Sequence, residues 1–213
     1  MPVFLQKNLN AETLLAVWHI QESKEQLLDL LGKNLSEESQ NLRLNSANAL
    51  HYLASRVVLC ELFKNQEITL TKNAQNKPSL WINKKEWNIS ITHSHEFAAI
   101  IITPTGKIGI DIEQINSRIS RVKHKFLNQT ELDFAGSENQ IEEQTLIWSA
   151  KETLYKIYSL KELDFKLNLF IKPFQISSQG QFQGIINKNT FHQECTIQYL
   201  KIQNYFLTYS YKP

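Results

Sequence analysis

The sequence predicts an α+β fold in two halves, because each half groups strand-like segments with one long helical segment. Strand-like apolar or alternating patterns occupy residues 13–20, 87–103, 107–115, 175–186 and 196–211. Apolar residues at helical spacing mark residues 46–63 in the first half and 139–160 in the second. Turn residues at 104–106 separate the halves, so we expect domains at 1–104 and 105–213.

Within the first half, local signals delimit the helices. Ser23 is a candidate N-cap and Gly32 a stop for a short helix. The longer helix, which begins near Ser46, carries Arg56 inside its apolar pattern. A loop over residues 72–81 is broken by Pro78 before the strands at 87–103.

In the second half, the strand KIGIDIEQI (107–115) is expected to pair antiparallel with the strand that precedes it. Residues 116–136 are polar and show little periodicity, so no regular structure is predicted there. The two final strands are expected to close a hairpin at Gln203–Asn204.

Bulk composition narrows the class of protein. The chain has 213 residues and a net charge of +2, so no strong overall field draws it to nucleic acid or to an anionic membrane. Its two cysteines lack metal-ligand spacing, and the first residues contain no apolar secretory segment. We expect a soluble cytoplasmic protein.

Two carboxylates follow each other along the first strand of the second half. Asp111 and Glu113 alternate with three isoleucines, so both point to one face, about 7 Å apart. Gly109 opens space beside Asp111 on that face. Two readings remain open: a solvent-exposed strand face, or oxygen ligands for Mg²⁺, which usually binds together with phosphate.

A third carboxylate lies on the long second helix. Glu152 precedes Lys156 by four residues, which favours a surface ion pair worth a few tenths of a kcal/mol. Alternatively, Glu152 is a further magnesium ligand, and Lys151 and Lys156 lie near phosphate oxygens. Periodicity alone does not choose between these readings.

Taken together, these motifs resemble those of the Sfp-type 4′-phosphopantetheinyl transferases. GIDIE at 109–113 is followed, at the separation typical of the family, by WSAKE at 148–152 and then by Lys156. NKPSL at 76–80, ITHS at 91–94 and FLNQTEL at 126–132 resemble further family segments. The resemblance covers residues 56–174.

The resemblance implies a pseudo-dimer of two similar α+β halves with the active site at their junction. It implies transfer of the 4′-phosphopantetheine arm of coenzyme A to a serine of an apo acyl or peptidyl carrier protein. The other product is adenosine 3′,5′-bisphosphate. An internally duplicated chain has less need of a partner copy, so a monomer is expected.

Residue by residue, the resemblance implies that Asp111, Glu113 and Glu152 hold Mg²⁺. Lys156 is implied to stabilise the pyrophosphate, with Lys151 acting likewise or contacting the nucleotide. Glu131 is the implied base for the carrier serine; an exposed loop carboxylate is the alternative reading.

The first half is implied to bind the nucleotide of coenzyme A. The residues that match family positions on this side are Arg56, Lys77, Pro78, Thr92 and His93. Without the resemblance, His93 reads as an ordinary strand histidine and Arg56 as the partner of a local acid; His95 has no counterpart and is taken as structural.

The chain departs from the family motifs at two places, and it has a basic stretch that could contact the carrier protein. Asn76 replaces a glycine, and residues 46–49 carry no charge where relatives have basic residues; Arg43 or Lys72 could substitute. A basic stretch is expected to dock the acidic carrier, with a solvated loop as the alternative. It comprises Arg118, Arg121, Lys123 and Lys125, with Lys107 nearby.

Besides transfer, two other functions fit these residues. The missing basic residues suggest a catalytically silent module that binds carrier protein or nucleotide. A magnesium-dependent hydrolase of coenzyme A, with water as the acceptor, is the third hypothesis.

Overall fold

The computed structural model describes residues 3–31, 49–73, 77–160 and 162–212. The chain divides into two compact units, Met1–Gly106 and Lys107–Pro213. Each unit contains one antiparallel sheet, so the α+β class is confirmed. Within the described part of the chain, no helix has the length and apolar character needed to cross a membrane.

The first unit is built on a six-stranded sheet. Its strands are β1 (Leu5–Asn8), β2 (Leu14–His19), β3 (Ile68–Lys72), β4 (Pro78–Ile82), β5 (Lys85–Ser94) and β6 (Phe97–Thr103). They lie in the order β1-β2-β6-β5-β4-β3. Pro78 starts β4, a position where its missing N–H is tolerated.

Among the described residues of the first unit, two helices share one apolar core with this sheet, the second packing on the strands and the first on the second helix. They are α1 (Lys24–Leu31) and α2 (Ala49–Leu62). Ser23 caps α1 as predicted: its Oγ accepts from Gln26 N, and Gln26 Oε1 accepts from Ser23 N. Leu53, Val57 and Leu80 are among the fully buried core residues. The predicted stop at Gly32 and start near Ser46 lie outside the described residues.

A five-stranded sheet forms the second unit. Its strands are β7 (Lys107–Gln114), β8 (Leu169–Ile171), β9 (Gln179–Lys188), β10 (Phe191–Ile202) and β11 (Tyr205–Lys212), in the order β7-β11-β10-β9-β8. The closing hairpin at Gln203–Asn204 is confirmed, with Ile202 paired to Tyr205.

The predicted pairing of β7 with the strand before it is wrong. Strand β6 already has β2 and β5 on its two edges, so no edge is left for β7. Instead β7 pairs antiparallel with β11, and Asp111 lies opposite Thr208. Residues 104–106 therefore connect two different sheets and do not close a hairpin.

Three helices accompany the second sheet. They are α3 (Arg118–Val122), α4 (Gln129–Ala135) and the long α5 (Ile141–Tyr158), with a 3-10 turn at Lys123–Lys125. The long helix was predicted; the short ones, in the region 116–136, were not. A signal for α4 is present in the sequence, because Asn128 and Glu131 have the spacing of a capping box, and the structure contains that box.

Candidate active site

Two acidic side chains of β7 lie against helix α5. Trp148 Nε1 donates a hydrogen bond to Glu113 Oε1 at 2.9 Å, and Lys156 Nζ donates to Asp111 Oδ1 at 2.8 Å. Both carboxylates therefore share one face of β7, as the alternation of the sequence predicted. The reading as a solvent-exposed face is wrong for Asp111, which is only 4% exposed.

Gly109 makes this close packing possible. A Cβ atom at this position would lie 2.3 Å from the carbonyl oxygen of Thr153, a main-chain atom of α5 that cannot move aside easily. The space beside Asp111 that the sequence suggested is thus filled by the helix backbone. On the opposite face of β7, Ile108 and Ile110 are also buried, so the strand is covered on both sides.

Lys156 reaches from α5 back to β7. Its ammonium group donates to the carbonyl oxygen of Ile110 at 2.8 Å as well as to Asp111. The reading of Lys156 and Glu152 as a surface ion pair is wrong, because Lys156 pairs with Asp111 across the helix–strand contact. The Lys156 charge also acts on Glu113 and Glu152, whose pKa values it lowers, and the lysine side chain is 25% exposed.

The pKa values of Glu152 and Glu113 are raised by burial and by neighbouring carboxylates. Burial, followed by the charge of Asp111, raises the pKa of Glu152 from near 4.5 to about 7, while Lys156 opposes the rise. Burial and the charge of Asp111 also raise the pKa of Glu113 to about 7, with Glu152 adding to the rise. The hydrogen bond from Trp148 lowers it in part. Burial and the charge of Asp111 thus both favour the protonated forms of Glu113 and Glu152.

This donor set suits a hard divalent cation by its chemistry. Carboxylate oxygens are the ligands that Mg²⁺ prefers, and a cation would offset both the burial and the repulsion that raise the two pKa values. Among the described residues, no three His, Cys, Asp or Glu side chains are already grouped as metal ligands. The Asp111 carboxylate is instead oriented toward Lys156.

Lys151 and Glu131 form a buried ion pair. The Lys151 ammonium lies 2.6 Å from Glu131 Oε2, and the two side chains are 0% and 1% exposed. Lys151 also donates to the carbonyl oxygens of Phe126 and Phe165, while Glu131 accepts from the backbone N–H of Asn128 and Ile171. Burial lowers the pKa of Lys151, and Glu131 offsets part of that effect.

The reading of Glu131 as an exposed loop carboxylate is wrong, because its side chain is only 1% exposed. The Glu131 carboxylate is enclosed by the backbone donors of Asn128 and Ile171 and by Lys151. The Lys151 ammonium is likewise enclosed by Glu131 and the two carbonyl oxygens. We assign the pair a structural role.

The ion pair is linked to Glu113 through aromatic packing. Lys151 binds the backbone of Phe165, and the ring of Phe165 stacks on Trp148 with centroids 5.2 Å apart. Trp148 in turn donates the hydrogen bond to Glu113. A series of contacts thus connects Lys151 with a carboxylate of the site.

The basic residues that follow β7 differ in exposure, so only some of them are accessible to a partner. Lys123 is buried and binds the Gly136 carbonyl oxygen at 2.6 Å and the Glu138 carboxylate, so it is not available to a partner. Arg118, Arg121 and Lys125 remain exposed. Lys107 lies at the other end of β7, about 23 Å from Gln114 by strand rise, and does not belong with them.

In the first unit, the residues predicted to bind the nucleotide differ in their burial and contacts. Arg56 is 8% exposed, and its guanidinium stacks on the Tyr52 ring at 3.4 Å, so it is held against its own helix. Lys77 is tied by its backbone to Asn73 just before Pro78 begins β4. Thr92 is buried in β5. Asn76, Arg43 and residues 46–48 lie outside the described part of the chain.

His93 is exposed and stacks on His51. The two ring centroids are 4.3 Å apart with an interplanar angle of 5°. His51 Nε2 lies 2.5 Å from the His95 carbonyl oxygen, which makes Nε2 the protonated nitrogen. Sequence reasoning missed His51, because it stands on α2, far along the chain from His93. The three histidines therefore belong to one cluster, in which His95 contributes its backbone carbonyl oxygen to the contact with His51.

The strand–helix pair of the second unit has the features of a site for cation-assisted phosphate chemistry: three carboxylates, a partly exposed lysine and a hydrogen-bonding tryptophan. The family model of the 4′-phosphopantetheinyl transferase superfamily matches residues 107–210. That span runs from β7 into β11 and includes Asp111, Glu113, Glu152 and Lys156. A search of curated proteins found no match to the chain.

Proposed function

We propose that the protein is an Sfp-type 4′-phosphopantetheinyl transferase. It transfers the phosphopantetheine arm of coenzyme A to a serine of an apo acyl or peptidyl carrier protein. The observation that carries the proposal is the packing of Asp111, Glu113, Glu152 and Lys156 at one strand–helix contact inside the span that the family model matches.

In this reaction the serine oxygen forms a bond to the phosphorus that bears the pantetheine. The bond from that phosphorus to the bridging oxygen breaks, adenosine 3′,5′-bisphosphate leaves, and the serine proton passes to water. Asp111, Glu113 and Glu152 would hold Mg²⁺, which supplies charge stabilisation for the pyrophosphate when it is bound.

The chain's own residues have separable tasks in this proposal. Lys156 balances the charge of Asp111 and offers a cation to the pyrophosphate. Trp148 orients Glu113. His93, Thr92, Lys77 and Pro78 contact the nucleotide; Arg56 is the least supported contact, because it is already held by Tyr52 and Ser55.

A transfer assay tests the proposal directly. The full-length protein is incubated with coenzyme A, Mg²⁺ and apo carrier proteins of fatty-acid, polyketide and peptide synthesis, and the carriers are weighed by mass spectrometry. We expect one carrier to gain one phosphopantetheine, and chelation of Mg²⁺ to prevent the gain. No gain on any carrier would favour the silent module, and release of the bisphosphate without a carrier would favour the hydrolase.

A first prediction concerns pH and Mg²⁺. Because Glu113 and Glu152 have pKa values raised to about 7, the folded protein binds more protons than the unfolded chain between about pH 4.5 and 7. The free energy of unfolding of the metal-free protein should therefore fall as pH rises through this window. Mg²⁺ should restore more stability at about pH 8 than at about pH 5, because protons compete for the same oxygens.

Urea unfolding with and without Mg²⁺ across this pH range measures both effects. The Glu113→Gln/Glu152→Gln double variant is the matched control and should lose the pH dependence together with the Mg²⁺ response. If the wild-type protein gains equal stability from Mg²⁺ at both ends of the range, these two carboxylates are not the ligands.

A second prediction concerns the carrier protein. Neutralising the exposed Arg118, Arg121 and Lys125 with glutamine should raise KM for an acidic carrier by about tenfold and leave KM for coenzyme A unchanged, since long-range charge steers the partner. Raising the salt concentration should have the same effect on the wild-type protein. Lys85→Gln, at an exposed position of β5, is the control for each single neutralisation. A larger loss of coenzyme A affinity than of carrier affinity would place docking elsewhere.

A further inference from the structure

Two lysines lie directly opposite each other where β7 and β11 pair. Lys107 and Lys212 are partners in the antiparallel register, and both are exposed. Like charges in directly opposed positions destabilise a sheet unless something of opposite charge lies between or beside them. No ion pair of either lysine with an acid is found among the described residues.

A cavity of about 210 Å³ opens beside this lysine pair. Its lining includes both lysines, Gln193 and Ser210, as well as Cys195 and Ile157, which are buried. The volume exceeds the roughly 30 Å³ share of one water several-fold, so a small solvated ion fits.

The polar groups of the cavity are oriented by one amide. Lys107 Nζ donates to Gln193 Oε1 at 3.3 Å, and Gln193 Nε2 donates to Cys195 Sγ at 3.3 Å. Lys107 also lies 4.9 Å from the centroid of the Phe191 ring, which limits the positions of its ammonium group. At least one of the two cations is therefore held in place at the cavity.

The charge balance of the cavity is positive. Glu194 is the one acidic residue among its described lining, and the Glu194 carboxylate lies 3.5 Å from Lys172 Nζ, outside this group. Burial raises the pKa of the Cys195 thiol, while Gln193 and the charges of Lys212 and Lys107 oppose the rise. The charges of both ammonium groups thus reach the Cys195 thiol on the buried wall of the cavity.

We propose that this cavity is an anion-binding site for a phosphate group, held between Lys107 and Lys212 with Ser210 and Gln193 as further polar partners. It lies at the opposite end of β7 from Glu113, so it is separate from the candidate active site and does not depend on the proposed transferase activity. The shared chemistry is a phosphate dianion, either free or as the terminal group of a phosphomonoester.

Isothermal titration of the full-length protein with inorganic phosphate, at low and fixed ionic strength, tests the site. We expect saturable binding to one site that Lys107→Gln and Lys212→Gln each weaken by about tenfold or more, because each removes a charge-assisted contact. Lys85→Gln removes the same charge on the other sheet and should leave binding unchanged. Glycerol phosphate in a parallel titration shows whether a phosphomonoester is accepted as well as the free ion.

Thermal unfolding without phosphate provides the second measurement. The lysine variants should be at least as stable as the wild-type protein, because each removes a repulsion. Equal phosphate binding by the wild-type protein and the double variant overturns the proposal. An absence of saturable phosphate binding to the wild-type protein also overturns it. Reduced stability of the variants would then indicate that the lysines serve the negatively polarised C-terminal end of α5.

Discussion

Replacing Lys151 with methionine is expected to lower the free energy of unfolding by about 3–5 kcal/mol, the cost of leaving one partner of a buried ion pair without the other. Methionine keeps the apolar length of the side chain but removes the ammonium group, which binds Glu131 and the carbonyl oxygens of Phe126 and Phe165. Urea unfolding followed by circular dichroism measures the change.

Two controls distinguish the effect of breaking the buried ion pair from the effect of removing any positive charge. Lys64 forms an exposed ion pair with Glu61, so Lys64→Met should cost no more than about 1 kcal/mol. In a double-mutant cycle, Lys151→Met combined with Glu131→Gln should lose less than the sum of the two single changes, because neither charge is then stranded. Strict additivity would mean that the two side chains do not depend on each other.

The same variant also tests the link from Lys151 to Glu113. Loss of the Phe165 contact should loosen the stack on Trp148 and with it the hydrogen bond to Glu113. The tryptophan fluorescence of a folded Lys151→Met protein, at low temperature, should therefore shift toward that of a more exposed indole. If the spectrum is unchanged although the stability is lowered, the ion pair contributes to folding but does not position Glu113.

Asp111→Asn and Glu152→Gln are each expected to reduce transfer to a carrier by about a hundredfold or more, since each removes one charged oxygen ligand from the proposed Mg²⁺ site. Mg²⁺ affinity, measured by calorimetry without carrier or coenzyme A, should fall in parallel. The matched control is Asp133→Asn, the same change at an exposed carboxylate of α4, which should leave both quantities unaltered.

Asp111→Asn has a consequence that does not require catalysis. The charge of Asp111 contributes to the raised pKa of both Glu113 and Glu152, so its removal should move both pKa values back toward 4.5. An NMR titration of the glutamate carboxyl carbons measures this shift. Near wild-type transfer by either variant, in a folded protein, would defeat the assignment of these residues to the site.

Periodicity carried much of the prediction for the second unit. The alternation in residues 108–113 was enough to place Asp111 and Glu113 on one face, and the apolar spacing of 139–160 was enough to define the helix that packs there. Both patterns are local, because side-chain direction in a strand or a helix depends only on position within that element. The strand partner of β7 was missed, since it lies some 90 residues further along the chain in β11.

The roles of individual charges were harder to predict. Glu131 and Lys151 are separated by 20 positions, and their pairing depends on how the start of α4 packs on α5. Lys123 reads as one of several basic surface residues until the backbone of Gly136 is brought to it. His51 stacks on His93 only because α2 lies against β5. Charge and residue type alone carry no information about such neighbours.

The sequence by itself determined the α+β class, the long helices and the face that Asp111 and Glu113 share, because hydrophobic periodicity is a property of each segment. Only the tertiary structure decided which strand β7 pairs with, and that Lys156 binds Asp111 while Lys151 is buried with Glu131. Those outcomes depend on desolvation and on distances between elements, and neither exists until the segments are packed together.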